Sequence, residues 1–322
     1  MGVIVTGGAG FIGSCVVRTL NDSGIEDITI VDNIQQTDKW MNMRNKRYVR
    51  YIQRDEFLPK LPEFVGSTSH IIHLGACSAT TERDFDFLYK NNYEYTRALW
   101  EFSSDNGISF IYASSAATYG DGSKGFDDDK DINALLPLNG YGYSKQLFDV
   151  WAEKQVRCPK QHVGFKFFNV YGPNEYFKGS MASVIFHSFN QITERGMVGL
   201  FKSYKEGYSD GGQLRDFIYV KDICKAIMFM IDNPNISGLF NLGTGRARSF
   251  YDLALATFDA MGIEPNIEFV DMPDSIRDKY QYYTQANMKK LREVGYVEDF
   301  YSLELGVKDY VQNYLMKGKE IY

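Results

Sequence analysis

Tyr141 and Lys145 stand four residues apart in Tyr141-Gly142-Tyr143-Ser144-Lys145, so a helix there carries a phenol and an ammonium on one face. An ammonium at that distance lowers the phenol pKa from about 10 towards neutrality. A shift of about three units corresponds to roughly 4 kcal/mol of phenolate stabilisation. Such a phenol can take the proton of an alcohol while a nicotinamide takes the hydride. The spacing alone arises by chance. It gains meaning here because a glycine-rich start and a Ser114-Ser115 pair precede it.

The glycine-rich start is Gly7-Gly8-Ala9-Gly10-Phe11-Ile12-Gly13, a G-x-x-G-x-x-G spacing. Gly7 permits a tight exit from a strand, Gly10 lets the backbone approach a pyrophosphate, and Gly13 lets a helix pack on the strand. The helix start then offers free amides and a positive dipole end to the phosphates. Asp32 closes the next apolar run about twenty residues on, where an acid bonds the ribose hydroxyls of NAD and repels a 2′-phosphate. Lys39 and Arg54 follow and could balance such a phosphate, so residue chemistry alone leaves NAD and NADP both open.

The elements that must position these groups follow from hydrophobic patterning. Val3-Ile4-Val5 is continuously apolar, as a strand buried on both faces should be. Ile12, Val16 and Leu20 recur every four residues, so a helix starts at the glycine turn. Further strands are expected at Ile28–Val31, His70–Leu74, Phe110–Ala113 and Val163–Phe167, with helices around 86–105 and 141–157. This alternation predicts an α/β fold, a Rossmann-type doubly wound parallel sheet. Beyond about residue 170 the pattern loosens. Strands are expected at Asp216–Val220 and Gly238–Leu242, helices at 249–261 and 303–316, and a polar loop or hairpin tip at 203–213. A smaller mixed α/β substrate domain is therefore expected, formed by about 169–215 plus 246–322. The dinucleotide-binding domain takes 1–168 plus about 216–245. The run Asp127–Asp131 reads as a solvated surface loop.

The chain has 322 residues, enough for about two domains, and 44% are hydrophobic. Lys plus Arg number 35 against 41 Asp plus Glu, a net charge of −6, which argues against a nucleic-acid binder. Any anionic ligand must be held by local cations and backbone amides. Nothing approaches ~20 unbroken apolar residues, and the apolar amino-terminal run is broken by glycines, so neither a membrane span nor a signal peptide is expected. The four cysteines (Cys15, Cys77, Cys158, Cys224) form no CxxC pair, and no His stands at metal-ligand spacing from them. Free thiols in a reducing cytoplasm and no metal are the expectation.

Taken together these residues resemble the extended short-chain dehydrogenase/reductase family, and within it the sugar-nucleotide epimerases that act on an ADP-heptose. The stretches that carry the resemblance are Val5–Gly13, Gly75-Ala76-Cys77-Ser78, Tyr112–Gly120 and Tyr141–Lys145. Further along come Phe168-Asn169-Val170-Tyr171-Gly172-Pro173, Lys178-Gly179-Ser180-Met181-Ala182-Ser183, Asn241-Leu242-Gly243-Thr244-Gly245 and Tyr280. The second and sixth of these single out the ADP-heptose branch. The resemblance implies a cytoplasmic homo-oligomer, with a homopentamer among the options, from a Gram-negative bacterium. It implies NADP as cofactor, with NAD as the other choice. The implied cofactor residues are Gly7, Gly10, Phe11, Ile12, Gly13, Asp32, Asn33, Lys39 and Arg54, then Gly75, Ala76, Cys77, Ser78 and Asn91, and finally Tyr141, Lys145, Val170 and Lys178. Arg54 stands where the family has Lys, and Leu74 where many members carry Glu.

The implied reaction inverts C6 of ADP-glycero-manno-heptose, in lipopolysaccharide core precursor synthesis. The carbinol is oxidised to a 6-keto heptose and then reduced on the opposite face, with no net redox change. The resemblance assigns Tyr141 and Lys178 as the two proton carriers, Lys145 as the partner of the phenol, and Ser115 as a bond to the reacting oxygen. Dehydratase relatives carry an Asp-Glu pair after that serine; Ala116-Ala117 stand here and disfavour elimination. Implied substrate contacts are Asn169, Ser180, His187, Phe201, Lys202, Ser203, Tyr204, Arg215 and Tyr280. Arg215 can fork onto a diphosphate and the aromatic rings can bracket adenine. Two other readings use the same residues. One is another NAD(P)-dependent sugar-nucleotide epimerase, such as a UDP-glucose 4-epimerase, which would not need Lys178. The other is a non-catalytic NADP-binding protein.

Overall fold

The computed structural model describes residues 1–277 and 280–322. In chain order the strands are β1 (Gly2–Thr6), β2 (Ile28–Asp32), β3 (Arg50–Gln53), β4 (Thr68–His73), β5 (Ser109–Ser115) and β6 (His162–Phe167). They continue with β7 (Asn169–Tyr171), β8 (Val198–Phe201), β9 (Leu214–Tyr219), β10 (Gly238–Leu242), β11 (Ala247–Ser249) and β12 (Ile267–Val270). Seven of them form one sheet in the order β10-β6-β5-β4-β1-β2-β3. Every pairing in it is parallel. The order reverses between β1 and β4, and a doubly wound sheet opens its ligand crevice at the carboxyl ends of such a pair.

Alternate residues of the central strands feed two separate cores. Val3, Val5, Ile28, Ile30, Ile72 and Ile111 pack on one face, together with Val16 and Leu20 of the helix Phe11–Asp22 and Ile223 and Ile227 of the helix Val220–Asp232. Ile4, Val31, Ile71 and Phe110 pack on the other, with Phe57, Trp100 and Phe148. Period-two alternation between two apolar layers is why these strands read as unbroken hydrophobic runs. Strand β3 escaped the sequence reading because it is an edge strand with only Ile52 buried.

The helical stretch expected around 86–105 is three pieces: a turn at Phe85–Leu88, a widened turn at Tyr89–Glu94, and the helix Tyr95–Asn106, which ends on the left-handed Gly107. Asn92 lies in the widened turn, and its amide bonds both the N–H and the C=O of Cys77. The helix carrying Tyr141 and Lys145 runs Gly140–Glu153, capped by the Asn139 side chain, which accepts from Gly142 N at 2.8 Å. It stops short of 157: its last turn tightens, with Lys154 N donating to Trp151 O and Gln155 N to Ala152 O.

Beyond β6 the chain builds two small sheets, β11-β9-β7 and β12-β8, flanked by the helices Val184–Arg195 and Phe250–Met261. Strand β9 pairs with β7 and β11, and the chain returns to the large sheet at β10. The 203–213 segment is a tip of turns closed by Ser203 N donating to Asp210 Oδ1 and Gly211 N donating to Phe201 O. The acidic run at 127–131 is solvated only in part. Asp128 is buried and accepts from Asn241 N of β10, which pins the run onto the sheet. Among the described residues no helix is long and apolar enough to cross a membrane.

Candidate active site

A cavity of about 520 Å³ opens at the carboxyl ends of the central strands, and a smaller one of about 230 Å³ adjoins it through shared residues around Gly7, Asp32 and Gly75. The glycine turn forms their floor. Gly7 has φ +68°, and a Cβ on it would lie 2.7 Å from Gly75 N. A Cβ on Gly13 would lie 2.1 Å from Gly7 O, so only glycine lets the helix approach the turn. The helix begins after Gly10 with no side-chain cap, which leaves its first amides for a ligand. The uncapped helix start and the close backbone approach suit an anionic group such as a dinucleotide pyrophosphate.

Asp32 closes β2 nearly buried. Its carboxylate accepts from Ala9 N at 2.9 Å, from Asn33 N at 2.7 Å and from Lys39 Nζ at 2.7 Å. The acid and the cation that the sequence set in opposition are therefore an ion pair. Arg54 and Asn91 meet at 2.6 Å in the smaller cavity, beside Asn33 and Cys77. All eighteen residues expected to contact a cofactor line one or other cavity.

Ser115, Tyr141, Lys145 and Lys178 all line the larger cavity. Ser115 ends β5, and its Oγ accepts from Ala117 N at 3.1 Å. Lys145 is buried and donates to Ala113 O at 2.9 Å. Burial lowers its pKa to about 8, against a raising pull from Asp149 and Cys77. The Tyr141 phenol is not lowered as the spacing suggested. Burial pushes it up, a bond from Ser115 opposes that, and the neighbouring Cys77 and Asp149 add to the rise. Lys178 sits at the end of the Glu175–Lys178 turn, with its Nζ 5.3 Å from the Phe11 ring centre. Burial lowers its pKa, while Glu175 raises it. Both amines thus sit where their neutral forms are more accessible than in water.

The expected substrate residues divide. Asn169 lines the larger cavity, and Ser180 is exposed one residue from Met181, which lines it too. His187 lies on the helix Val184–Arg195, three residues past Val184 of the cavity wall, with its ring against Phe186. Phe201, Lys202, Ser203, Tyr204, Arg215 and Tyr280 form a separate group. Arg215 is buried with its guanidinium over both Tyr280 (5.3 Å) and Phe250 (5.6 Å). Phe201 meets Tyr280 edge-on at 6.4 Å. Tyr204 donates to Asp271 at 2.7 Å, and Lys202 pairs with the same carboxylate. Phe250 also lines the larger cavity, so it joins the two groups.

Several site residues were not visible in the sequence. Asn42, fully buried, donates to Ala9 O at 3.0 Å and to Asn174 O at 3.2 Å, tying the glycine turn to the loop that carries Lys178. No motif marks it. His73 at the end of β4 bridges Thr6 Oγ1 (2.6 Å) and Thr96 Oγ1 (2.9 Å) beneath the cradle. The Thr96 hydroxyl donates to Asn92 O, so it accepts from His73 Nε2, and Nδ1 accepts from Thr6. Asp149 did carry a signal: it repeats the four-residue step from Tyr141 through Lys145. Among the described residues no group of three or more His, Cys, Asp or Glu side chains is placed to hold a metal ion.

The sequence profile of the NAD dependent epimerase/dehydratase family matches residues 3–243. A protein of Fusobacterium nucleatum named ADP-L-glycero-D-manno-heptose-6-epimerase is 53% identical over 326 residues, 98% of each chain. A crystal structure of the Helicobacter pylori protein of that name superposes with a TM-score of 0.79 at 25% identity, covering 97% of this chain and 95% of that one. The UDP-glucose 4-epimerase of Thermotoga maritima, solved with UDP-glucose, superposes at 0.80 with 26% identity, covering 99% and 100%.

Proposed function

The chain belongs to the NAD dependent epimerase/dehydratase family and is an enzyme of the epimerase type; from that premise we propose that it inverts C6 of the heptose in ADP-glycero-manno-heptose, with NADP as cofactor. One observation carries this reading: Lys178, which an epimerase using a single proton carrier would not need, lines the same cavity as Tyr141, Lys145 and Ser115. Identity of 53% over almost the whole chain to a protein named for that reaction supports the substrate.

Gly7, Gly10 and Gly13 would hold the pyrophosphate of a nicotinamide dinucleotide, which would supply a hydride acceptor and then a hydride donor. The protein's part is to bind, orient and move protons. Ser115 holds the reacting oxygen, and its own acceptor role towards Ala117 N fixes its rotamer. Tyr141 exchanges the alcohol proton on one face, with Lys145 beside it. Lys178 does so on the other, where desolvation favours a neutral amine able to accept. Lys39 offsets the Asp32 charge at the ribose end, which removes its repulsion of a 2′-phosphate, and Arg54 lies beyond to meet one. Arg215 and its aromatic partners take the ADP portion. A cytoplasmic homo-oligomer goes with the same reading.

Tyr141→Phe and Lys178→Met are each expected to keep bound nucleotide and lose epimerisation by at least a hundredfold. Turnover of either variant at the parent rate would refute the two-carrier assignment. Incubation with ADP-D-glycero-heptose beside UDP-glucose separates the proposed substrate from the other epimerase reading; turnover of UDP-glucose alone would overturn the substrate choice. The nucleotide released on denaturation, weighed by mass spectrometry, decides between NADP and NAD.

A further inference from the structure

Behind the proposed proton carrier lies a charged pair that touches neither cavity. Lys166 of β6 and Asp149 of the Tyr141 helix are both wholly buried, with Nζ 2.8 Å from Oδ2. Each is otherwise bonded to the strand end that carries Ser115. The Asp149 carboxylate accepts from Ser114 Oγ at 2.6 Å and from Tyr112 OH at 3.2 Å. Lys166 donates to Thr118 Oγ1 at 2.7 Å and faces the Tyr119 ring at 5.2 Å, and Thr118 donates to Ser115 O at 2.8 Å. A pair this deep costs several kcal/mol of desolvation per ion, and well-packed apolar side chains could fill the space more cheaply. Its bonds run to the segments on either side of the reacting position.

We propose that Asp149 and Lys166 are positioning residues for the reaction: the buried pair locks the Tyr141–Lys145 helix to the Ser115 strand end, and it places a fixed negative charge one turn behind the Lys145 ammonium. The inference rests on the reading of Tyr141 and Lys145 given above. Lys166 pairs with that carboxylate at 2.8 Å and is in turn held by Thr118.

The groups facing Lys145 define what this charge does. On its own helix they are Tyr141 and Asp149, and from the loop after β4 comes Cys77. From β4 comes His73, which is held neutral, and from β5 the Ala113 carbonyl. Burial lowers the Lys145 pKa, the Asp149 carboxylate opposes that fall, and the same carboxylate adds to the rise of Tyr141. Facing Asp149 are Tyr112 and Ser114 on β5 and Lys166 on β6. Loss of the carboxylate therefore moves both titrations the same way.

The test is the pH profile of kcat in the full-length enzyme, with Asp149→Asn/Lys166→Met as the principal variant, since it leaves no unpaired buried charge. The whole profile is expected to move to lower pH by roughly one unit, both limbs together, because a nearby charge commonly shifts a pKa by about that much. Bound nucleotide should be retained. A profile that only loses height, with both limbs where the parent has them, would show a structural role and overturn the proposal. If the double variant does not fold, Asp149→Asn/Lys166→Gln gives the same readout, because it also leaves no unpaired buried charge and keeps polar partners for Ser114 and Thr118. Tyr141→Phe run alongside separates the two ideas. A fully active Tyr141→Phe sinks the mechanism itself, whereas an inactive one with an unmoved Asp149 variant sinks only the inference.

Discussion

Lys145 and Tyr141 share a helix face as their spacing required, yet burial sets their titration. The sequence could give the partner and not the dielectric: the phenol rises, and the ammonium falls to about 8. His73 shows the same limit more sharply. Its pKa is lowered to about 3 by burial, with a smaller push from Lys145. The unfolded chain takes up this proton near pH 6.5 and the native state does not. Stability is therefore intact above about pH 6.5 and lost progressively as pH falls towards 3, by a few kcal/mol in all. Denaturant midpoints between pH 7 and pH 4 should show that slope, and His73→Gln should flatten it. An unchanged slope would mean that other groups govern acid unfolding.

At the scale of elements, the pieces that were legible are those whose burial is one-sided or complete. β1, β2, β4, β5 and β6 read correctly because both faces are covered. β3 did not, because its neighbours are solvent on one edge and its pattern is polar. The expected helix at 86–105 failed at Asn92, whose side chain serves the Cys77 backbone; a tertiary bond that local periodicity does not encode widens the turn. Within the glycine turn Gly7 and Gly13 were readable, since each answers a close backbone contact. Gly13→Ala should therefore fail severely: a Cβ 2.1 Å from a backbone oxygen cannot be relieved by a rotamer change. A cost of about 1–3 kcal/mol or more is expected. Protein purified from this variant should release no bound nucleotide, and retention at parent stoichiometry would contradict the cradle. The substrate residues are expected, residue by residue, only through resemblance. Arg215 reveals its partners Tyr280 and Phe250 once the chain is folded. Arg215→Lys is expected to raise KM for the ADP-sugar about tenfold or more while leaving cofactor content unchanged, because a lysine cannot fork or stack. Equal KM would exclude a diphosphate contact.

For the molecule as a whole, a net charge of −6 gives no general pull on an anionic substrate, and the cations that matter are gathered at the crevice. The family profile stops at residue 243, one residue past the end of β10. That strand lies against β6 with Asn241 opposite Lys166, although some seventy residues separate the two in the chain. During synthesis the nucleotide-holding half consequently waits for its last edge while β7, β8 and β9 emerge. A piece ending at Phe168 would leave β6 with a naked flank of amides and carbonyls. Light scattering of such a piece should reveal clumping that a chain extended through Leu242 avoids, and ribosome-stalled chains should first resist protease only when that late strand has cleared the exit tunnel.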